Sequence, residues 1–275
     1  MSFFRQYMFA LIAAALLPWW QCRGASGLRI GDATGGSESS ALRSALFELS
    51  RRPQEHQNEY SFRRMTPETA IAKLLNGEVD IIVIEKRDIP AKFNGIRIDF
   101  TAEALVLYSG MGNPLESLTI PQLKEIWQAE RPAWKKYNGE FNDIHRLGLT
   151  MKGGGFTEAR FLGGTLKREG IYRSGSIQRA WLFCSPAALL CAPATAERPG
   201  NIKIIRVNGV FPTRENIISG KYPLNLRYEL LFRKEKSHRA EAFLQLLATP
   251  EYAAKIRESG LILNFTGEGK NEEKP

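Results

Sequence analysis

The chain predicts an α/β fold in which mixed sheets are flanked by helices and divided into two lobes. Three observations carry this. Short β-rich runs alternate with amphipathic helical segments almost without interruption, the pattern of layered α/β domains. Val79 to Ile84 reads Val-Asp-Ile-Ile-Val-Ile, nearly continuous β-branched sequence as expected of a strand covered on both faces. A second block of similar style, from about residue 110 to 205, interrupts the first, and the strand expected at Asn201 to Val210 returns towards it.

The elements follow in order. Leu28 to Ile30 is a strand running into the polar turn Asp32-Ala33-Thr34-Gly35-Gly36-Ser37, and Ser37 caps a helix to about Arg52. Glu59 to Arg64 is a strand. Thr66-Pro67-Glu68 supplies a cap, a first-turn proline and a first-turn acid, and Asn76-Gly77 ends that helix. Ile96 to Phe100 and Ala104 to Tyr108 read as two further strands. Leu118-Thr119-Ile120-Pro121-Gln122-Leu123 spells a capping box, Thr119 with Gln122, and a staple, Leu118 with Leu123.

An inserted lobe accounts for this order: residues 25–103 begin lobe 1, 104–205 form lobe 2 and 206–265 complete lobe 1. The crossings near Phe100 to Tyr108 and Arg206 to Val210 then form a hinge, with a ligand cleft between the lobes. Residues 266–275 are charged and aperiodic, as in a disordered tail.

Residues 1–24 read as a signal peptide: Arg5, then an apolar run from Tyr7 to Trp20, then small residues from Gly24 to Gly27. The run is short of the roughly 20 residues a spanning helix needs, so export to the periplasm or beyond is expected rather than a permanent anchor. The bulky Trp19-Trp20-Gln21 before Cys22 does not suit lipoprotein processing. Cleavage removes Arg5 and Arg23 and no acid, so the formal charge of +9 falls to +7.

That basic balance fits nucleic acid, an anionic membrane or a small anion. Lys and Arg are scattered, with no block of five and no aromatic-basic repeat, so no nucleic-acid groove is expected. After cleavage Cys184 and Cys191 remain, spaced for a short disulfide loop or for two buried apolar positions. His56, His145 and His238 are dispersed and the cysteine spacing matches no zinc pattern, so neither metal nor cofactor is expected. The sequence has no nucleophile elbow, Ser-x-x-Lys or phosphate-loop Gly-Lys-Ser/Thr, and no enzyme is expected.

Three loops lead straight into helix starts: Thr34 to Ser37, Met65 to Glu68, and Lys152-Gly153-Gly154-Gly155-Phe156-Thr157. A helix start exposes backbone N–H groups and carries about half a positive charge, so it seats an anion without a side chain. Each loop also describes something plainer: a tight turn, an ordinary capped helix, a flexible glycine loop.

The C-terminal third carries a resemblance. Val207-Asn208-Gly209-Val210-Phe211-Pro212-Thr213, Ser219-Gly220-Lys221-Tyr222-Pro223-Leu224 and Thr249-Pro250-Glu251-Tyr252 … Glu258-Ser259-Gly260 together resemble the end of periplasmic phosphate-binding proteins. Asn113-Pro114-Leu115 and Leu118-Thr119 … Ile126-Trp127 are similar to that family's middle block, so the resemblance runs roughly from Leu28 to Leu263. It implies a type 2 periplasmic-binding-protein fold and a monomeric receptor that delivers phosphate or a related oxyanion to an ABC importer's permease. Residue by residue it implies ligand contacts from Thr34 and Thr66; where the family has Ser-Gly-Thr this chain has the loop of Lys152, Gly153, Gly154, Gly155 and Thr157, which with Gly35 and Ser37 is a candidate through its helix start. Arg146 lies upstream of that loop, and Lys86 fills a variable charged position after Glu85. The alternative is an interaction protein that keeps the architecture without the anion site.

Overall fold

A computed structural model describes residues 27–34, 60–137, 140–150, 157–163, 170–194, 198–234, 238–258 and 261–264. The expected signal peptide, the helix after Ser37 and the tail fall outside these ranges.

Lobe 1 is built on β1 (Leu28–Ala33), β2 (Tyr60–Arg64) and β3 (Ile81–Glu85), with α1 (Pro67–Leu75) crossing between β2 and β3. All three strands are parallel, with β1 in the middle. All five residues of β3 are buried, which is the double-sided burial its β-branched composition calls for. Thr66 caps α1, its hydroxyl accepting from the Thr69 N–H at 3.3 Å, with Pro67 in the first turn.

β4 (Ile96–Gly110) is one continuous strand of 15 residues, where the sequence reading has two. No Gly or Pro separates those runs, and the irregularity between them is a bulge: Tyr228 pairs with Thr101 and Glu229 with Asp99, leaving Phe100 as the extra residue. Its first part pairs antiparallel with β10 (Asn225–Phe232) and β11 (Ile262–Leu263), its last part with β8 (Ala188–Pro193) and β9 (Ile202–Val207). The spatial order is therefore β2-β1-β3-β10-β4-β8-β6-β7. Here β6 (His145–Leu149) lies parallel to both β8 and the edge strand β7 (Ile171–Ser174).

Between β4 and β6 come β5 (Ser117–Leu118), parallel to β9, and α2 (Ile120–Gln128). The α2 capping box forms as spelled: the Gln122 N–H donates to Thr119 Oγ1 and Gln122 Oε1 accepts from the Thr119 N–H at 2.8 Å. Asn208 and Gly209 end β9 in a turn with φ of 50° and 77°. Asn208 Oδ1 accepts from the Ile120 N–H at 3.1 Å, so this turn docks onto the start of α2. The strand expected to reach Val210 stops at Val207 because both turn residues are left-handed, the geometry of a tight hairpin.

The remaining helices are α3 (Thr157–Leu162), α4 (Ile177–Leu182), α5 (Arg214–Ser219), α6 (His238–Leu247) and α7 (Pro250–Glu258). Strand alternation divides the core by face. In lobe 1, Ile81 and Val83 pack with Phe243, Leu247 and Ile256 of α6 and α7, while Ile82 and Ile84 pack with Ala70 and Leu74 of α1. In lobe 2, Leu189 and Cys191 of β8 join Leu123, Ile126, Trp127 and Trp134, while Leu190 and Ala192 join Ala180 and Cys184. The two cysteines are thus free thiols buried on opposite faces of β8. Burial pushes the Cys184 thiol up to about 12.

Candidate functional site

Strand register brings one row of polar side chains to the C-terminal end of the lobe 1 sheet. Ala33 lies beside Ile84, so Thr34 comes level with Glu85. Glu85 is opposite Tyr228, and Tyr228 opposite Thr101. Because side chains alternate, Asp32 and Glu85 share the face of Ile30, Ile81 and Val83, at the strand ends where open α/β sheets bind ligands.

The local bonds fix this row. Asp32 Oδ1 accepts from the Thr34 N–H at 3.1 Å and from Thr34 Oγ1 at 2.8 Å, and both residues are buried. The Met65 N–H donates to the Asp32 carbonyl at 3.0 Å, which brings the capped start of α1, and Thr66 with it, to the end of β1. Thr66 Oγ1 also donates to Thr69 Oγ1 at 3.1 Å.

Against this end of the sheet packs α3. Arg160 Nη1 donates to Glu103 Oε2 at 3.0 Å and Nη2 donates to the Tyr228 hydroxyl, which itself donates to Glu103 Oε1 at 3.0 Å. The side chains of Arg160 and Glu103 are only 11% and 13% exposed. Glu85 stands close enough to the guanidinium to be stabilised by it, yet burial dominates and raises its pKa, with Arg87 at the rim pairing at 2.6 Å and opposing the rise. The described part of the site therefore sets Glu103 and Glu85 near one deeply set guanidinium, with Asp32 bonded to Thr34 at the end of β1.

α3 is held to its own lobe by a second ion pair. Glu158 is fully buried and accepts from Arg173 Nη1 of β7 at 2.6 Å. Gly148 of β6 makes room, since a Cβ there would come within 2.1 Å of Glu158 Oε1 and 2.3 Å of Arg173 Nη1. Burial raises the Glu158 pKa, and the Arg173 charge works against that.

Of the residues singled out in the sequence, the fold brings Thr34 and Thr66 to one end of the sheet and begins α3 at Thr157. Gly35, Ser37, Lys152, Gly153, Gly154 and Gly155 lie outside the described residues. Lys86 does not join them: its ammonium sits 3.0 Å from both Asp99 and Glu229, and Glu229 alternates with Tyr228 to the other face of β10. Arg146 lies within lobe 2, 2% exposed, donating through Nη1 to the carbonyls of Ile126 at 3.1 Å and Ala129 at 2.8 Å. It caps the C-terminus of α2, whose last carbonyls have no partner inside the helix.

Sequence reasoning passed over Asp32, Glu103, Arg160 and Tyr228. One signal pointed to Glu103: it is the only charged residue in the run from Phe100 to Gly110. Among the described residues no group of His, Cys, Asp and Glu could hold a metal ion.

No protein-family model matches the sequence, and no curated protein matches it. Solved structures do match the fold. PstS from Borrelia burgdorferi is 16% identical, covers 87% of this chain and 99% of its own, and superposes with a TM-score of 0.64. A possible phosphate-binding protein from Planctomyces limnophilus is 16% identical over 87% of this chain and 93% of its own, with a TM-score of 0.67. An ABC-type phosphate transport receptor from Vibrio cholerae is 17% identical over 86% of this chain and 100% of its own, with a TM-score of 0.58. Across 85% of this chain, a LysR substrate-binding domain from Wolinella succinogenes also matches, 12% identical with a TM-score of 0.51. By these matches the chain, an α/β protein with one curled mixed sheet, has the type 2 periplasmic-binding-protein fold.

Proposed function

We propose that this protein is an exported solute-binding protein, not an enzyme, that holds phosphate or a similar oxyanion in the cleft between its lobes and delivers it to an ABC importer. The observation that carries the reading is the bond from the Met65 N–H to the Asp32 carbonyl, which joins the end of β1 to the capped start of α1. Thr34 and Thr66 thereby come from separate elements to one sheet end. In this reading Thr34, Gly35, Ser37 and Thr66 form one wall, and Lys152 to Gly155 with Thr157 form the other. Backbone N–H groups at the nine-residue α1 supply donors there. The resemblance to named phosphate receptors supports the ligand class.

The carboxylates refine it. At Thr34 an anion meets the Asp32 carboxylate bonded to that threonine, which repels a fully ionised oxyanion, whereas one that carries a proton donates its O–H to a carboxylate. Hydrogen phosphate is therefore favoured over sulfate. The test is thermal unfolding of the full chain with millimolar phosphate, arsenate, sulfate or phosphonates. A ligand at one hundred times its Kd adds about 2.7 kcal/mol of apparent stability. Phosphate is expected to raise Tm, and Thr34→Ala with Thr66→Ala to abolish the rise. No shift with any of the four anions overturns the proposal.

One observation favours a second reading, an interaction protein without an anion site: Arg160 already satisfies Glu103 and Tyr228 within the cleft. That protein shows no anion-dependent shift and is retained by an envelope partner.

A further inference from the structure

Four of the six large apolar side chains that the described residues leave exposed gather at one end of lobe 2. Leu182 is 81% exposed and Phe183 52% at the end of α4, Tyr172 on β7 is 42% exposed, and Met111 on the turn after β4 is 58% exposed. The rings of Tyr172 and Phe183 lie 4.6 Å apart, so the edge strand and the helix end form one surface. The Met111 turn adjoins it. Gly110 N–H donates to the Ser185 carbonyl at 3.1 Å and Asn113 Nδ2 to the Pro186 carbonyl at 2.8 Å, in the loop that follows Phe183.

Local structure explains why these side chains stay out. α4 spans only six residues and buries Ala180, while Trp181 packs edge-on against Tyr108 at 5.0 Å. That contact takes up the inward face, and Leu182 and Phe183 are left on the outer side. Exposed apolar groups gathered in this way mark a contact surface.

Charge identifies the contact. Residues 170–196 contain no Asp or Glu, while Arg173 and Arg179 lie within them. Arg173 is committed to Glu158, and Arg179 is exposed beside the patch. The whole chain carries +9. Aromatic and aliphatic side chains with an adjacent exposed arginine suit the boundary between lipid headgroups and acyl chains, where rings enter and a cation pairs with phosphate.

We propose that this end of lobe 2 docks peripherally on an anionic phospholipid surface, with Leu182 and Phe183 entering the boundary and Arg179 at headgroup level. Among the described residues no helix is long and apolar enough to cross a membrane, so the contact made here is superficial. It does not rest on the anion reading or on what that site binds.

The full chain is mixed with vesicles of equimolar phosphatidylglycerol and phosphatidylcholine and followed by hydrogen exchange across 177–186, which reads this surface separately from residues 1–24. Exchange there is expected to slow on these vesicles and not on pure phosphatidylcholine. Leu182→Ser with Phe183→Ser is expected to weaken the protection about ten-fold, and Arg179→Glu to weaken it and flatten its salt dependence. All three side chains are exposed, and an unchanged circular dichroism spectrum shows that the variants fold. Equal protection on both vesicle types, or protection that survives the double substitution, overturns the proposal. So does a dimer without vesicles that the double substitution dissolves, which assigns the surface to a second copy.

Discussion

Arg160→Ala tests whether the ion pair between α3 and β4 holds these elements together. Its guanidinium and the Glu103 carboxylate are both close to nine-tenths buried, so water cannot take over when one partner is lost. Removing one side of such a pair costs about 3–5 kcal/mol. The loss is asymmetric. Without Arg160, Glu103 keeps only the Tyr228 hydroxyl and Glu85 loses one of its two cations, whereas Glu103→Ala leaves the arginine its bond to Tyr228 and its attraction to Glu85. Glu103→Ala is therefore expected to cost about 1–3 kcal/mol. Because the partners share one network, the double variant should cost less than the two single losses together, with a coupling of about 1–3 kcal/mol. Urea unfolding at neutral pH measures all three. Additivity to within about 0.5 kcal/mol, or an Arg160→Ala loss no larger than the roughly 1 kcal/mol of a surface pair, refutes the reasoning.

Two further outcomes follow from buried charge. Gly148→Ala drives a methyl group into Glu158 and Arg173 and is expected to cost about 1–3 kcal/mol, seen as a fall in Tm; an unchanged Tm shows that the pair moves aside freely. Glu229 has its pKa held below 4.5, since burial alone would raise it but hydrogen bonds from Arg97 and Lys86 outweigh that. A depressed carboxylate contributes stability that is present above its unfolded value and lost as pH falls through its folded value. The deficit of Glu229→Gln relative to the parent chain should accordingly shrink as pH drops below about 4.5, and a deficit constant from neutral to acidic pH contradicts the assignment.

The legible parts of the fold were those written in consecutive residues. The run from Val79 to Ile84 announces a strand covered on both faces, and Thr119 with Gln122 announces a helix start, because each depends on neighbours within one turn or one strand. The same holds for Thr66 at α1. The site is different. Glu103 and Tyr228 are 57 and 68 residues away from Arg160 in sequence, and only the pairing of β10 with β4, together with the seat of α3, assembles them. Arg146 shows the converse: an arginine ahead of a glycine loop suggests a ligand contact, while three-dimensional packing directs it to the end of α2. Lys86 likewise has two carboxylates within reach that are 13 and 143 residues away from it. Composition read the chain's secondary structure well because local propensity and burial agree there. Charge partners, which depend on topology, stayed hidden.

β4 has a mechanical consequence. At about 3.3 Å per residue, its 15 residues form a beam of roughly 50 Å. It is clamped along one length by β10 and along the next by β8 and β9. Rotation of one half of the molecule against the other must therefore be absorbed as flexure of a ribbon whose edges are already bonded, in the manner of a leaf spring and not of a loose joint. The ribbon changes neighbours between Ala104, the last residue paired with β10, and Leu105, the first paired with β8, so the bend falls on that step.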